Sequence, residues 1–437
     1  MTIDENMISE FLMRSIGQLQ VIMPAANHQW SVTRVERIEN GHTIHGSSRP
    51  DFSAIIAMGY MRGQLPSIGE FAKAIEVDDR YRKIVSGTVA QWYVLIPNQI
   101  AQSILRNYVG RLDRLSHDES LANRVAENFL HSLDSGHSKV VFYSVAQGLE
   151  CDFEGCLLPG DVKLRKLADE EAVQLVEFHN QSLLHEDMLF ENCCLLEQQF
   201  ELPVNPPPPE IDVTNQQPSD VAAANFDAVI TGLRLLKEGH VQRQSVYTRY
   251  EEPGQLVVPN IGGVRIYRIK RFPIFKTYCL SETDVPNLSK ILEAIKNRLT
   301  SVRLRIAVDR VNFAAERERS DDILLDLLIA LEALYGDSAG AIGYKIGLRC
   351  ATFIETDYEK REQIHRLVGD AYSRRSALVH GGKKNDSDLN LTTDEIVVRL
   401  QAVVRQSISC VVAKSLSGQG VPIGSDFDKL LLQSAQS

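Results

Sequence analysis

The sequence predicts an α+β protein, in which a mixed α/β N-terminal region precedes an all-α helical bundle at the C-terminus. In the first half of the chain, helical and strand patterns alternate. A break follows at "ELPVNPPPPEIDVTNQQPSD", residues 201–220, where four consecutive prolines remove backbone donors and hold the chain extended. From Pro286 onward, the spacing of apolar residues is helical throughout.

These changes in pattern divide the 437 residues into five segments. The length suits about two to four domains. We predict an α+β N-terminal domain of unknown role (1–200), a proline-rich linker (201–220), a connecting helix and β-hairpin (221–284), a helical bundle (285–416) and a C-terminal tail (417–437). No internal repeat is detectable in the sequence.

Elements of the first half follow from local patterns. The start, "MTIDENMISEFLMRSIGQLQ", predicts an amphipathic helix rather than an export signal, because acids stand where a signal peptide needs bases. "WSVTRVERIENGHTIHG" predicts a hairpin around Asn40-Gly41. We predict strands at "TVAQWYVLIP" and "KVVFYSVAQ", and helices at "NQIAQSILRNYVGRL" and "SLANRVAENFLHSL".

The second half begins with a predicted helix, "DVAAANFDAVITGLRLLKEG", that ends at Gly239. "HVQRQSVYTRY" and "GGVRIYRIKRFPIF" predict two strands that pair with each other. Short loops then separate six predicted helices, as in a compact antiparallel bundle: "PNLSKILEAIKNRL", "SVRLRIAVDRVNFAAERER", "SDDILLDLLIALEALYG", "AIGYKIGLRCATFI", "DYEKREQIHRLVGDAYSRRSALVHGG" and "TTDEIVVRLQAVVRQSISCVVAKSL".

Composition limits the class of protein. The shares of hydrophobic (44%) and charged (24%) residues are ordinary for a soluble globular protein. Because the formal net charge is -10, a site for a polyanion requires a local basic patch. The seven cysteines include no CxxC pair, which indicates a reduced, cytoplasmic protein. No run approaches the roughly 18 apolar residues that cross a bilayer, so we expect no membrane contact.

Two other motifs are more typical of structural roles than of ligand-binding sites. "GDSAGAIGYK" lacks the GK[ST] ending of a phosphate loop and follows a helix, so an interhelical connection is the favoured interpretation. His179, His185, Cys193 and Cys194 cluster in sequence, but adjacent cysteines rarely close a tetrahedral zinc site. We therefore predict no metal and no cofactor.

A basic run, "RIYRIKRFPIFK", interleaves Arg265, Arg268, Lys270 and Arg271 with aromatic residues. Such a run is able to neutralise phosphates and stack on bases, which makes these four residues weak candidates for RNA binding. A solvated strand whose apolar side packs on the bundle is the favoured alternative.

Glu332 stands within "SDDILLDLLIALEALYG", which is apolar nearly all round and predicts a buried central helix. A carboxylate there costs several kcal/mol unless a partner compensates for its burial. Arg349 and Arg375 are the candidate partners, and the alternative is that Glu332 reaches solvent at the bundle edge. For a buried pair, Glu332→Ala would cost roughly 3–5 kcal/mol.

The stretch "RRSALVHGG" combines Arg375 with His380 where Gly381 and Gly382 end a helix. Arginine grips a phosphate with its planar fork. Histidine, with a reference pKa of about 6.5, gives or takes a proton near neutrality. Five residues on an ideal helix separate their directions by about 140°. Taken alone, the pair is more typical of cationic side chains that interact favourably with the partial negative charge at the C-terminus of a helix.

Three stretches in order, "SDDILLDLLIALEALYGD", "IGYKIGLRCATFI" and "YSRRSALVHGG", resemble the HEPN superfamily, and most closely its ApeA-like branch. Arg375-x4-His380 fits the family signature of an Arg, four to six residues and a His near the end of a helix. The resemblance extends from near Thr300 to near Leu416, about a third of the chain, and implies a HEPN-type fold for the bundle.

The resemblance implies metal-independent RNA cleavage by a homodimer, in which Arg and His residues of both subunits form one composite site. The neighbouring 2′-hydroxyl of the RNA is the nucleophile, and many relatives are toxins or antiviral defence effectors. Arg375 would hold phosphate, His380 would act as general acid or base and Ser376 would assist, with Glu332 and Arg349 supporting them. Active relatives often carry Asn, Asp or His where this chain has Ser376, so an inactive HEPN domain that binds RNA or protein is the alternative.

Overall fold

The computed structural model describes the residues 2–23, 34–38, 41–45, 52–86, 96–112, 114–168, 171, 193–204, 217–243, 245–250, 252–256, 277–298, 301–337, 342–380, 391–416 and 426–429. Within them the fold is mixed, with helices first, an antiparallel sheet in the middle and helices toward the C-terminus. Buried apolar residues form three clusters, which correspond to an N-terminal helical unit, a central sheet unit and a C-terminal bundle.

The helical unit contains six helices and a two-stranded hairpin in its described part. Their bounds are α1 Glu5–Ile22, β1 Arg34–Ile38, β2 Gly41–His45, α2 Phe52–Met61, α3 Pro66–Val77, α4 Asp79–Ser86, α5 Pro97–Val109 and α6 Glu119–Ser135. The antiparallel pairing of β1 with β2, with Ile38 opposite Gly41, confirms the predicted hairpin. The helices predicted at the start and at α5 and α6 are also present, whereas "TVAQWYVLIP" lies mostly outside the described residues.

A buried carboxylate, Asp78, joins the start of the chain to the helical unit. It accepts hydrogen bonds from the Ile3 amide at 2.8 Å and from the Arg80 guanidinium at 2.9 and 3.1 Å. Arg80 also donates to Ile3 O and to the exposed Asp134. Burial by itself raises the pKa of Asp78, but the bonds from Arg80 and Ile3 outweigh it and hold the pKa at about 2.

Asp78→Asn is expected to destabilise the helical unit by about 2 kcal/mol at pH 7. Because the pKa of Asp78 is lower in the folded than in the unfolded chain, its contribution is complete above about pH 4 and is lost as the pH falls toward 2. Urea denaturation measures the destabilisation by Asp78→Asn at pH 7, and at pH 2.5 it measures how much of that difference is lost. Asp134→Asn, which removes an exposed partner of the same arginine, is the control and should change little.

The sheet unit lies at the centre of the sequence. Its elements are β3 His137–Gln147, β4 Leu149–Cys151, β5 Gly155–Leu158, β6 Val162–Lys166, β7 Cys193–Pro203, α7 Pro218–Leu236, β8 Gln242–Arg243, β9 Tyr247–Tyr250 and β10 Tyr278–Leu280. The strand order β5-β6-β7-β3-β8 is antiparallel, and β9 also pairs with β3. A separate pair joins β4 and β10 in parallel. The predicted strand "KVVFYSVAQ" is confirmed as β3.

The segment 221–284, which we predict to connect the two halves, contributes α7, β8, β9 and β10 to the sheet unit. The predicted partner strand, "GGVRIYRIKRFPIF", lies outside the described residues, and β8 and β9 pair with β3. α7 ends at Leu236, three residues before the predicted stop at Gly239. Gly239 instead permits a close approach, since an added Cβ would lie 2.7–2.9 Å from atoms of Tyr278.

The six helices predicted from Pro286 onward are present in the predicted order, and the first of them buries Leu288 and Leu292 in the cluster of the sheet unit. They are α8 Val285–Arg298, α9 Val302–Ala315, α10 Ser320–Tyr335, α11 Ile342–Ile354, α12 Tyr358–His380 and α13 Thr393–Leu416. α10 is the buried central helix, as its apolar sequence indicates. It also buries Asp326, whose carboxylate accepts bonds from Arg310 at 2.8 Å and Arg317 at 3.0 Å.

α13, over Thr393–Lys414, is long and apolar enough to cross a membrane by length and composition alone, with a mean hydropathy of 1.5 over an 18-residue window within it. In the described structure this helix packs against α10, and 44% of the window is buried. Ile396, Leu400, Val404 and Ile408, spaced four residues apart, belong to the bundle core. This arrangement is typical of a core helix in a helical bundle.

Glycines bring α11 and α12 close together. An added Cβ at Gly343 would lie 3.0–3.2 Å from the Tyr372 side chain, and one at Gly347 would lie 3.2 Å from His365. Because the two glycines are four residues apart, they form a smooth face on α11 against which α12 packs. The "GDSAGAIGYK" stretch thus leads from α10 into a helix, in agreement with its predicted role as an interhelical connection.

Gly343→Ala is expected to destabilise the bundle by about 1–3 kcal/mol, because the new methyl group must displace the Tyr372 ring. Gly369→Ala is the matched control, since a Cβ there meets nothing within 4 Å. Alanine favours a helix over glycine by about 1 kcal/mol, so the control should be neutral or stabilising. Thermal unfolding followed by circular dichroism compares the two variants, and equal melting temperatures would contradict the close packing.

Candidate functional site

Glu332 and Arg375 form an ion pair that joins α10 to α12 near the C-terminal ends of both helices. Nη1 of Arg375 donates to Oε1 of Glu332. The hydroxyl of Tyr372 donates to the same oxygen over 3.1 Å. Tyr372 and Arg375 are three residues apart on α12, which places them on one face of the helix. The guanidinium carbon of Arg375 lies 5.9 Å from the Tyr372 ring centroid. One carboxylate oxygen therefore positions both a cation and a phenol.

The Glu332–Arg375 pair lies partly in solvent. About 27% of the Glu332 side chain and 34% of the Arg375 side chain are exposed. Glu332 thus has the predicted partner Arg375 and also reaches solvent. Burial, together with the nearby Glu332 charge, raises the pKa of Tyr372, so the phenol stays protonated and keeps donating its hydrogen bond.

Glu332→Ala is expected to destabilise the bundle by about 1–2 kcal/mol, less than the 3–5 kcal/mol of a fully buried pair. Solvent screens the exposed part of the interaction, and the loss of the acceptor for Tyr372 adds to the effect. Glu362→Ala, which removes the exposed partner of Arg366 one helical turn away, is the control. Urea denaturation of both variants is the measurement, and equal midpoints would show that the contacts of Glu332 contribute nothing.

Arg349, the other candidate partner of Glu332, pairs with different groups. Its guanidinium donates to Tyr335 O at 2.8 Å, to Asp337 at 2.6 Å and to Asp428 at 2.7 Å through two nitrogens. The side chain is 2% exposed. Arg349 therefore fixes the end of α10 and holds the residues that follow it, and it contacts a part of the tail that the sequence pattern does not predict.

The remaining members of the predicted site lie on the last turn of α12. Ser376 is exposed, which leaves its hydroxyl accessible to a ligand. His380 is the last residue of the helix, and its side chain lies outside the described structure. Because the backbone is helical up to His380, its Cα lies about 7.5 Å along the axis from that of Arg375 and about 140° around it. The backbone of one helix therefore places the two residues at different positions around its axis.

Several other predicted residues lie outside the described structure: Arg265, Arg268, Lys270, Arg271, His179 and His185. Of the two cysteines in the histidine-rich stretch, Cys194 is buried with its sulfur 3.3 Å from that of Cys151. Among the residues that the structure describes, no group of three or more His, Cys, Asp or Glu side chains is arranged to hold a metal ion.

Sequence reasoning missed Tyr372 and Arg374. The spacing of Tyr372, three residues before Arg375, is a signal that helical geometry makes readable. Arg374 donates from Nη2 to Leu391 O at 3.1 Å and so ties the end of α12 to the chain just before α13. Within the described structure its buried Nη1 has no hydrogen-bond partner. Neither contact is encoded by a recognisable motif.

No protein-family model matches the chain, and no curated protein or solved structure matches it at a significant level. The described structure has helices toward the C-terminus, and a HEPN-type fold for them stays a prediction. Function is therefore inferred from these motifs and from the geometry of the bundle.

Proposed function

We propose that the C-terminal bundle is a metal-independent endoribonuclease of the HEPN type, in which Arg375 binds the scissile phosphate and His380 transfers protons. The observation that carries this proposal is the position of Arg375. Glu332 and Tyr372 hold it near the end of α12, with a third of its side chain exposed and His380 five residues further on.

The contacts of Arg375 are compatible with a phosphate ligand. Glu332 engages the guanidinium through Nη1, and the exposed third of the side chain allows a phosphate oxygen to approach. Arginine binds phosphate in a bidentate manner and stays charged at any physiological pH. The neighbouring Ser376 hydroxyl, exposed on the same turn, supplies a further donor.

The working unit in this proposal is a homodimer with composite sites. Because the backbone positions of Arg375 and His380 lie about 140° apart around one helix axis, a second copy related by a two-fold axis can supply the missing group. Leu378 and Val379 are exposed on the same last turn, and exposed apolar side chains of this kind suit a contact with another copy. RNA would lie across the junction between the two helix ends.

Incubation of the purified protein with bulk tRNA and mRNA in EDTA tests the proposal. The wild type should cleave RNA and leave 2′,3′-cyclic phosphate or 3′-phosphate ends, because the 2′-hydroxyl is the nucleophile. An Arg375→Ala/His380→Ala chain should not cleave. RNA binding without cleavage by the wild type would overturn the proposal and favour an inactive RNA-binding module.

Light scattering and subunit mixing test the dimer. His380→Ala and Arg375→Ala chains, each inactive alone, should recover part of the cleavage when mixed, since some mixed dimers keep one usable Arg–His pairing. A strict monomer at micromolar concentration with RNA present would exclude a composite site.

A further inference from the structure

A short segment of the C-terminal tail is inserted into the bundle. Within residues 426–429, the Phe427 side chain is 1% exposed. Its ring lies 4.8 Å from that of Tyr335 and 5.0 Å from that of Phe353 between centroids, with edge-to-face geometry in both contacts. The next residue, Asp428, accepts hydrogen bonds from Nε and Nη2 of Arg349, each at 2.7 Å.

The residues that receive the tail are positioned by the bundle itself. Arg349 is anchored by Tyr335 O and Asp337, neither of which belongs to the tail. Tyr335 and Phe353 also contact each other, at 6.1 Å between ring centroids. Tyr335, Phe353 and Arg349, called the tail pocket below, therefore keep their own contacts when the tail is absent. A preformed pocket of this kind binds a ligand with little cost of ordering.

The contacts in the tail pocket define the ligand chemistry. The two rings accept an aromatic side chain, and the Nε–Nη2 edge of Arg349 matches the two oxygens of a carboxylate. Arg349 in turn lowers the pKa of Asp428, so the acid remains ionised at neutral pH. Asp426 and Lys429 form an ion pair at the solvent-exposed side of this segment, a kind of pair that contributes little to stability.

We propose that the tail pocket is a binding site for an aromatic–acidic peptide, and that residues 426–429 of this chain occupy it as an exchangeable ligand. Release of the tail exposes two aromatic rings and one edge of Arg349 on the bundle surface. RNA cleavage at Arg375 and peptide binding at the tail pocket are separate measurements, so the two proposals succeed or fail independently.

A labelled synthetic peptide of residues 422–433, PIGSDFDKLLLQ, tests the proposal by fluorescence anisotropy with the full-length chain. In the wild type, the tethered tail competes at an effective concentration on the order of 1 mM. In a Phe427→Ala/Asp428→Asn chain the tail no longer occupies the pocket. This chain, called the vacated chain, should therefore bind the peptide at least ~10-fold more tightly than the wild type. An Asp426→Asn chain is the matched control and should behave like the wild type.

Peptide variants show which side chains are recognised. In the peptide, Phe427→Ala should weaken binding to the vacated chain about 100-fold, since this ring is fully buried. Asp428→Asn should weaken it about 10-fold, because Asp428 is half exposed. Asp426→Asn should have little effect. Failure of the folded, vacated chain to bind the peptide saturably, or equal binding of all three variants, overturns the proposal.

Hydrogen exchange on the wild type gives a second test that requires no substitution. If the tail is exchangeable, the amides of residues 426–429 exchange through local release, well before those of α10. Exchange of both segments at one rate, set by unfolding of the whole bundle, would show that the tail is an inseparable part of the core.

Discussion

His380→Ala is expected to lower the rate of RNA cleavage about 10²- to 10⁴-fold, the usual contribution of general acid–base catalysis. His380 ends α12, so its removal should leave the bundle core intact. The loss should therefore appear in the catalytic rate, while the circular dichroism spectrum and the melting temperature stay unchanged. Single-turnover cleavage of a labelled RNA in EDTA is the measurement.

His365→Ala is the control for this prediction. It replaces a histidine of the same helix whose ring packs against Tyr344, 5.1 Å away between centroids. This variant should cleave RNA at close to the wild-type rate. If His380→Ala cleaves as fast as His365→Ala, then His380 is no catalytic residue, whatever the function of the bundle.

Arg349→Met is expected to destabilise the bundle by about 2–4 kcal/mol. The substitution removes the donor for Tyr335 O and leaves Asp337 and Asp428 close to each other, with Lys345, 3.9 Å from Asp337, as a weaker cation partner. Because both carboxylates are partly exposed, solvent limits the loss to less than that of a fully buried network. Urea denaturation and hydrogen exchange of the α10 and α11 amides measure the effect.

Arg366→Met is the matched control, since it removes an arginine that pairs with Glu362 one turn away on the surface of α12. Exposed pairs of this kind contribute about 0.5 kcal/mol or less. Arg349→Met should therefore shift the urea midpoint several times further than Arg366→Met. Similar midpoints would mean that the bundle tolerates loss of the Arg349 network, and that apolar packing and the bond from Arg303 to Gly336 O are enough to hold the end of α10.

Local sequence patterns were sufficient to predict the elements of the bundle. The six helices from Pro286 onward follow from the spacing of apolar residues, because a helix that buries one face must repeat such residues every three to four positions. The apolar sequence of α10 also predicts that it is the central helix, whereas Arg375 is only one of two candidate partners of Glu332 until the structure decides between them. Arg375, Ser376 and His380 were selected by the motif alone, since residue type and spacing are visible in the sequence.

Contacts between distant parts of the chain were decided by the tertiary structure. β8 and β9 pair with β3, about 100 residues earlier, and local patterns carry no information on which strands meet. Arg349 pairs with Asp337 and Asp428 rather than with Glu332, because its position on α11 lies beside the end of α10, where it also bonds to Tyr335 O. The insertion of Phe427 between two aromatic rings depends on a pocket that exists only after the helices have packed.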